Sequence, residues 1–339
     1  MKTIVLTEPR HLELTHTQEP DGLGPDHALV KIHRVGICGT DLHAYLGNQS
    51  FFSYPRVLGH ELGVEVVELG TDARGGELAV GDYCAVLPYL SDGTCIACRQ
   101  GKSNCCVNMQ VLGVHTDGGM REFISVPANL LLKAEALSLD HLAQVEMLAI
   151  GAHAVRRAQL RDENVLVIGA GPIGLGTIAA AKDKAKRIVA LDISAKRLEF
   201  VAQQNLAETL PIEGDVTAAL TDLLEGDLPT AVFDATGNAK SMMNTPKLVA
   251  HGGHIIFVGH TKADLSFHNP TIHSKELSLL TSRNATREDF LSVIANLEKK
   301  TFDLDAWITH RASPEGLIKD FPTWLEPETG VIKAMLEFA

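Results

Sequence analysis

The feature that most constrains the fold of this 339-residue chain is a glycine-rich segment, VIGAGPIG, at residues 167–174. An apolar run precedes it and an alanine-rich run follows it, which is typical of a buried strand that turns into a helix. In that setting Gly169 permits the tight turn, Gly171 admits a pyrophosphate and Gly174 permits close packing of the helix. The segment therefore predicts the first strand–turn–helix unit of a dinucleotide-binding domain.

The chain changes its pattern near Gly151, where we expect a domain boundary. Before it, short apolar runs between Gly, Pro and Asp turns indicate a β-rich domain; they lie at 28–35, 62–69, 83–88 and 122–126. After it, apolar strand candidates at 165–168, 188–191, 231–233, 255–258 and 277–280 alternate with helical stretches at 173–184, 195–204 and 239–250. This alternation predicts a doubly wound parallel sheet, so the fold class is α/β plus β.

Asp192 ends the strand after the glycine loop, where an acid can accept hydrogen bonds from ribose hydroxyls. Its charge would repel a 2′-phosphate, which favours NAD over NADP. Arg197 could temper that choice, although such a residue more often faces solvent. The predicted cofactor-binding residues are Gly169, Gly171, Pro172, Ile173, Gly174, Asp192, Arg197, Thr236, Gly259 and Ser282. The alternative is a strand–turn–helix unit that binds no nucleotide.

Composition excludes several classes of protein. The net charge of −12, with dispersed basic residues, argues against nucleic acid or an anionic membrane as a partner. No apolar stretch approaches the roughly 20 residues of a membrane-spanning helix, and Glu8 and Pro9 interrupt any signal-peptide core, so we expect a cytoplasmic protein. Six cysteines fall in the first third of the chain, which predicts metal ligation rather than disulfides.

Three separated side chains are candidate ligands of a catalytic metal: Cys38 in the string GICGTD, His60 in the string GHE, and Glu146. A thiolate, an imidazole and a carboxylate suit a zinc ion with an open position. Glu61 is an alternate ligand or a carboxylate behind the ligands. Taken singly, each residue has a simpler interpretation as a packing residue or a helix cap.

These motifs, in this order, resemble those of the zinc-dependent medium-chain dehydrogenases, the superfamily of alcohol, sorbitol and threonine dehydrogenases. The resemblance spans essentially the whole chain. It implies a GroES-like catalytic domain (1–150), an inserted Rossmann NAD-binding domain (151–288) and a C-terminal segment (289–339) that returns to the first domain. It also implies that Cys38, His60 and Glu146 hold catalytic zinc. Met147 departs from the family, which usually has proline there.

The segment 92–106 resembles the structural zinc lobe of the same family, which uses four cysteines. Placing Cys95, Cys98 and Cys106 on the last three ligand positions puts Asp92 on the first. An aspartate can ligate zinc, although oxygen in place of sulfur weakens the site. The alternative is a lobe that has lost its metal. Cys84 lies in an apolar strand pattern and is interpreted as inert core.

A zinc ion at Cys38 would act as a Lewis acid on a substrate hydroxyl. Thr40 could relay the alcohol proton and His43 could carry it to solvent, or either could only brace the loop.

The substrate prediction rests on a narrower resemblance. Segments 47–56, 114–119 and 281–285 resemble bacterial sugar-acid dehydrogenases that act on L-galactonate or L-gulonate at carbon 5. Asn48, His115 and Arg283 are suitable polar and cationic partners for such a substrate, whereas Arg56 is interpreted as structural. A polyol or threonine-like dehydrogenase is the nearest alternative, and a non-catalytic nucleotide-binding relative is another. The family resemblance implies a homodimer or homotetramer.

Overall fold

The computed structural model describes residues 1–49, 52–299 and 302–339. Within them the chain forms two compact units. The first unit comprises residues 1–146 and 286–339, and the second comprises residues 147–285. The chain therefore leaves the first unit once and later returns to it.

Residues 1–146 form mainly short strands, as the dense Gly and Pro punctuation predicts. The strands are β1 (Lys2–Glu8), β2 (His11–His16), β3 (His27–Ile37), β4 (Glu61–Leu69), β5 (Tyr83–Val86), β6 (Tyr89–Leu90), β7 (Gln110–Val111), β8 (Phe123–Pro127) and β9 (Leu131–Lys133). The helices are α1 (Gly39–Tyr45), α2 (Ile96–Arg99) and α3 (Leu139–Leu142).

The second unit alternates strands and helices. After α4 (Val145–Ala158), which contains the boundary between the units, come β10 (Glu163–Ile168), α5 (Pro172–Ala181), β11 (Ala185–Asp192), α6 (Ala195–Gln203), β12 (Glu208–Pro211), α7 (Val216–Leu223), β13 (Ala231–Asp234), α8 (Ala239–Asn244), β14 (His254–Phe257), α9 (Asn269–Ser274) and β15 (Ser278–Thr281). The six strands form one parallel sheet in the order β12-β11-β10-β13-β14-β15. The predicted doubly wound parallel sheet is confirmed.

One predicted helix, 239–250, is wrong in its second half. Helix α8 ends at Asn244, and the chain continues as a single 3₁₀ turn, Thr245–Lys247. Pro246 lies in that turn. Because proline has no amide hydrogen and its ring clashes with the preceding turn, an α-helix cannot continue through it without a kink.

The returning segment completes the sheet of the first unit. It contains α10 (Arg287–Glu298), β16 (Ile308–Ala312), α11 (Pro314–Asp320) and β17 (Lys333–Glu337). The sheet has the order β16-β17-β3-β4-β5-β9, and β8 also pairs with β3. Strand β17 runs antiparallel to β3, so that Ala334 lies opposite Ile37. The C-terminal strand is therefore a neighbour of the strand that leads to Cys38.

Two further findings concern membrane-spanning helices and the state of the cysteines. None of their helices is both long and apolar enough to cross a membrane. All six cysteines lie within the described ranges, and each is a free thiol.

A charge cluster ties the returning segment to the rest of the first unit. Asp140 Oδ1 accepts a hydrogen bond from Arg34 Nε at 2.7 Å, and its Oδ2 accepts one from Arg311 Nη2 at 2.6 Å. Burial by itself would raise the pKa of Asp140, but the two guanidinium groups outweigh it and hold that pKa below its usual value. The carboxylate thereby joins α3, β3 and β16.

Asp140→Asn should lower the free energy of unfolding at pH 7 by about 1–3 kcal/mol, because two charge-assisted hydrogen bonds lose their anion. A carboxyl whose pKa is lowered by folding stabilises the protein above its unfolded pKa, and this contribution disappears as the pH falls through the folded pKa. The difference between wild type and variant should therefore shrink in acid. Urea unfolding at neutral and acidic pH measures it, with the exposed Asp183→Asn as control. An equal difference at both pH values would contradict this account.

Candidate active site

Two strand ends bring the predicted metal ligands together. Cys38 follows β3 and caps helix α1, while His60 and Glu61 lie where β4 begins. Because β3 and β4 are antiparallel neighbours, with Gly36 opposite Glu61, the two motifs meet. The ligand atoms of Cys38, His60 and Glu61 all lie within 4.8 Å of one another.

His60 is buried, and the buried carboxylate of Asp41 faces its imidazole ring. Asp41 Oδ1 lies 3.8 Å from His60 Nδ1, and neither atom has a hydrogen-bond partner in the described part of the chain. The other carboxylate oxygen of Asp41 accepts the Cys38 amide at 2.9 Å. Burial opposes charging of His60, but the charges of Cys38 and Asp41 outweigh it and raise its pKa. With Nδ1 turned to Asp41, Nε2 is the ring nitrogen left for a metal.

Glu61 is held by a buried lysine from the C-terminal strand. Lys333 is 1% exposed, and its Nζ donates to both carboxylate oxygens of Glu61, at 2.9 and 2.6 Å, and to Ile37 O at 3.1 Å. Gly36 makes room for this pair, because a Cβ there would overlap Glu61 Oε2. The lysine neutralises Glu61 beside the metal ligands.

Glu146 lies in the first turn of α4 and is buried. Its Oε1 accepts a short hydrogen bond from the Tyr89 hydroxyl. The carboxylate is outside the three-residue cluster, yet its charge helps to raise the pKa of His60. Burial raises the pKa of Glu146 itself. Its role as a ligand stays a prediction.

The donor set of this centre fits zinc. A thiol, an imidazole and carboxylates converge in a largely buried place, and the buried Nδ1 of His60 is turned to an acid, as in many histidines that bind zinc. Sequence analysis missed the roles of Asp41, Tyr89 and Lys333. Only Asp41 carried a local signal, since an acid three residues after Cys38 can accept its amide at the start of a helix.

The predicted proton carriers lie on one short helix. Thr40 is half-buried and His43 is exposed, three residues apart on α1, a spacing that places them on neighbouring positions of one helix face. Asn48 is exposed just after the helix, and its backbone amide donates to the backbone carbonyl oxygen of His43 at 2.8 Å.

The other predicted substrate residues have different surroundings. His115 Nδ1 accepts the Val111 amide at 3.1 Å and so braces its own turn. Arg283 is exposed in the second unit. Arg56 donates to Asp117 Oδ1 at 3.3 Å and to Ser53 Oγ at 2.8 Å, within the first unit. Ser50 and Phe51 of the predicted substrate segment lie outside the described residues.

The second predicted metal site is also assembled. Asp92, Cys95, Cys98 and Cys106 offer ligand atoms that all lie within 4.8 Å of one another. Asp92 Oδ1 accepts the amides of Thr94 and Cys95, at 2.8 and 3.1 Å, and its Oδ2 accepts Asn108 Nδ2 at 2.7 Å. Hydrogen bonds from backbone amides, that of Cys98 first, lower the pKa of Cys95 to about 7. One thiolate is thus readily available to a cation.

Two of the three glycines in the glycine loop, Gly169 and Gly174, are required by the fold itself, and Gly171 is not. Gly169 has φ +94°, and a Cβ on Gly174 would overlap the carbonyl oxygen of Gly169. Gly171 has φ −76°, and a Cβ there would meet only Arg197, at 3.6 Å. Neither backbone strain nor packing requires glycine at 171, so the open space there fits a pyrophosphate that approaches the backbone. Helix α5 begins at the next residue, Pro172, followed by Ile173.

Asp192 braces this loop. It is buried, its Oδ2 accepts the Ala170 amide at 2.6 Å, and its Oδ1 accepts the Ser194 amide at 2.7 Å. A carboxylate has further lone pairs that remain for ribose hydroxyls. Arg197 Nη1 lies 3.9 Å from Asp192 Oδ2, so that this side chain leans over the glycine loop and remains 43% exposed.

A further loop at the carboxyl edge of the sheet is held by Asp234, a residue that sequence analysis missed. Asp234 is buried; its Oδ1 accepts the Thr236 amide at 2.9 Å and hydroxyl at 2.6 Å, and its Oδ2 accepts Ser241 Oγ at 2.6 Å. A Cβ on Gly259 would overlap Gly237 in the neighbouring loop. Ser282, after β15, has a buried Oγ without a partner among the described residues.

Comparison with known proteins identifies related folds and sequences. The model of the alcohol dehydrogenase GroES-like domain matches residues 24–136, and that of the zinc-binding dehydrogenase family matches residues 172–299. The chain is 42% identical to the L-galactonate-5-dehydrogenase of Escherichia coli K12, over 100% of this chain and 99% of that protein. It is 32% identical to the L-threonine 3-dehydrogenase of Pyrococcus horikoshii, over 92% and 91% of the two chains. The predicted family resemblance is confirmed.

A solved structure agrees with the fold. The alcohol dehydrogenase RspB of E. coli CFT073, complexed with the cofactor NADH, superposes with a TM-score of 0.91 at 29% identity. The match covers 100% of this chain and 99% of that one.

Lys333→Met should lower the free energy of unfolding by about 3–5 kcal/mol, because it leaves the Glu61 carboxylate buried without a counter-charge. Urea unfolding, with zinc and after chelation, measures the loss. The double variant Lys333→Met/Glu61→Gln should recover most of it, since no charge is then left unpaired. Lys319→Met, at an exposed position, is the control. A Lys333→Met protein as stable as the control would contradict the importance of the pair.

Asp92→Cys should slow the loss of zinc from the lobe to a chelator by about tenfold or more, because a fourth thiolate is a softer ligand than a carboxylate. Metal analysis during EDTA treatment measures the rate. Asp92→Ala should instead speed the loss, and Cys105→Ser, outside the cluster, should leave it unchanged. A measured content of one zinc per chain in the wild type would contradict a zinc site in the lobe.

Proposed function

This chain belongs to the zinc-binding alcohol dehydrogenases with a GroES-like domain, enzymes that act on CH–OH groups, and we propose that it oxidises a hexonate sugar acid, L-galactonate or L-gulonate, at carbon 5. The observation that carries the proposal is the 42% identity to an L-galactonate-5-dehydrogenase along the whole of both chains. The low aromatic content, 5%, also supports a polar rather than a greasy alcohol pocket.

In this proposal Cys38, His60 and Glu146 hold the catalytic zinc. Zinc supplies Lewis-acid polarisation of the substrate hydroxyl when bound, and NAD supplies the hydride acceptor. The chain's own part is to orient the ligands: Asp41 faces the ring of His60, and Tyr89 donates to Glu146. Glu61 stays behind the ligands because Lys333 engages both of its oxygens.

The Thr40 hydroxyl is proposed to accept the proton of the substrate alcohol while it gives its own proton onward, and His43 is proposed to take up that proton and release it to solvent. Their positions on α1 support this order, since Thr40 is half-buried beside Cys38 and His43 is exposed. Histidine suits the outer position because its ordinary pKa lies near neutrality. Asn48, His115 and Arg283 are the proposed substrate contacts, and the guanidinium would pair with the sugar-acid carboxylate.

NAD is the proposed cofactor. Asp192 lies at the end of β11 with its carboxylate against the glycine loop, where a 2′-phosphate would meet its charge. The complex of the related RspB with NADH supports the same choice. Asp92, Cys95, Cys98 and Cys106 are proposed to hold a second, structural zinc.

We place the enzyme in the cytoplasm, since six free thiols suit a reducing compartment. A homodimer or homotetramer is the proposed assembly. A threonine-like dehydrogenase is the second candidate function, favoured by the 32% identity to an L-threonine 3-dehydrogenase.

Initial rates with L-galactonate, L-gulonate, sorbitol, L-threonine and ethanol, each with NAD and with NADP, test the substrate and the cofactor. One of the two hexonates with NAD should give the highest kcat/KM. A higher value for threonine would establish the second candidate, and a higher value for sorbitol would assign the enzyme to polyols. Faster turnover with NADP would contradict the role given to Asp192.

Cys38→Ser should lower kcat by about 10³-fold or more, because several kcal/mol of Lewis-acid stabilisation disappear with the zinc. NADH binding, measured by fluorescence, should persist, since the glycine loop is untouched. Cys105→Ser is the matched control, an exposed cysteine outside both clusters. Undiminished turnover in Cys38→Ser would contradict the assignment of Cys38 as a zinc ligand.

A further inference from the structure

The first unit contains a concave site whose lining residues belong neither to a metal cluster nor to the glycine loop, although Thr116 and Asp117 lie in the predicted substrate segment 114–119. It is a cavity of about 260 Å³. Its walls are chiefly apolar, with Leu90, Leu112, Ile124, Val126, Pro127 and Leu130 among the lining residues. The remaining lining residues are His27, Thr116, Asp117, Arg121 and Ser125. Small-molecule sites usually measure about 300–1,000 Å³, so this cavity, called here the Arg121 cavity, suits only a small ligand.

Two polar groups in this cavity have unused hydrogen-bonding capacity. Arg121 donates from Nε to Gly118 O at 3.1 Å, but within the described ranges no hydrogen bond engages its two terminal nitrogens. Arg121 is half-buried. Burial lowers the pKa of its guanidinium, although the nearby charge of Asp117 opposes this shift. The buried Oγ1 of Thr116 likewise has no partner in the part of the chain that is described. The Thr116 oxygen is closed off from solvent and so from a ligand in the cavity, whereas the terminal nitrogens of Arg121 are not among the buried atoms without a partner and so remain accessible.

The other charges that line the cavity are already engaged. Asp117 Oδ1 accepts from Arg56 Nη1 at 3.3 Å and from the Val57 amide at 3.0 Å. His27 Nδ1 lies 2.8 Å from Asp26 Oδ1. The charge of Asp117 also acts on Arg121, but within the described ranges no hydrogen bond joins the two side chains, so the terminal nitrogens of Arg121 remain available to an anion.

The walls of the cavity are held in place by backbone contacts. Gly118 donates to Val57 O at 2.7 Å, and Met120 donates to Leu58 O at 2.9 Å. A Cβ on Gly113 would come within 2.8 Å of the Gly59 amide nitrogen, so the two backbones pack directly against each other. The segment that carries Thr116 and Arg121 is thus fixed before any ligand arrives, which lowers the entropic cost of binding.

We propose that the Arg121 cavity binds a small monocarboxylate with an apolar tail, whose carboxylate pairs with Arg121 while its tail lies against the leucine and isoleucine walls. A guanidinium can pair with one carboxylate through two parallel hydrogen bonds. The apolar walls exclude a polyhydroxylated acid, because its hydroxyls would be buried without partners. This ligand is thus chemically distinct from the proposed substrate, and the inference is independent of the proposed function.

Isovalerate, with its neutral isostere isovaleramide as control ligand, tests the site on the zinc-loaded full chain. Ligand-observed NMR titration should give a Kd near about 1 mM for isovalerate and a Kd at least about tenfold higher for isovaleramide. Arg121→Gln should weaken isovalerate binding at least about tenfold, because the carboxylate loses its cation. Arg10→Gln, at an exposed arginine away from the cavity, should leave it unchanged.

Three results would overturn the proposal. Equal affinities for isovalerate and isovaleramide would show that no cation reads the carboxylate. Unchanged binding in an Arg121→Gln protein that unfolds at the wild-type temperature would place the ligand elsewhere. Displacement of isovalerate by L-galactonate or by NAD would assign it to the active site.

Discussion

The ion pair between Lys333 and Glu61 is the interaction on which the first unit depends. A buried carboxylate beside a histidine and a cysteine is tolerable only with a counter-charge, and the counter-charge comes from 272 residues further along the chain. The lysine begins β17, so the register of β17 against β3 decides whether the pair forms. Sheet pairing, a glycine at position 36 and the electrostatics of the proposed zinc centre are therefore parts of one constraint.

Much of the fold could be predicted because its signals are local. The strand, the glycines and the helix around Gly171 occur within a dozen residues, and buried parallel strands are recognisable as short apolar runs. The misjudged end of α8 has a local cause too, in Pro246. Strand β12 and helix α9 were not predicted, because their short runs mix polar and apolar residues and carry no clear period. Helix α7 was overlooked although Val216, Leu220 and Leu223 recur at helical spacing.

In the candidate site, too, the residues in local sequence motifs could be predicted, and those that act through distant partners could not. Cys38, His60 and the three cysteines of the lobe stand in short motifs whose spacing is typical of metal ligation, and the structure brings each group together. Tyr89, Lys333 and Asp234 act through partners that no pattern in the sequence reveals. A buried lysine in particular resembles any other lysine until its surroundings are known. The family resemblance bridges part of this gap for Glu146, whose carboxylate lies outside the three-residue cluster.

The interrupted course of the first unit imposes an order of assembly during synthesis. The second unit is a continuous piece, 147–285, that emerges from the ribosome complete. The first unit cannot be completed until later, because β17 occupies an inner position of its seven-stranded sheet and is synthesised only after the whole second unit. A nascent chain thus holds Cys38, His60 and an uncompensated Glu61 for most of translation. The centre for chemistry matures last, and the nucleotide loop is ready before it.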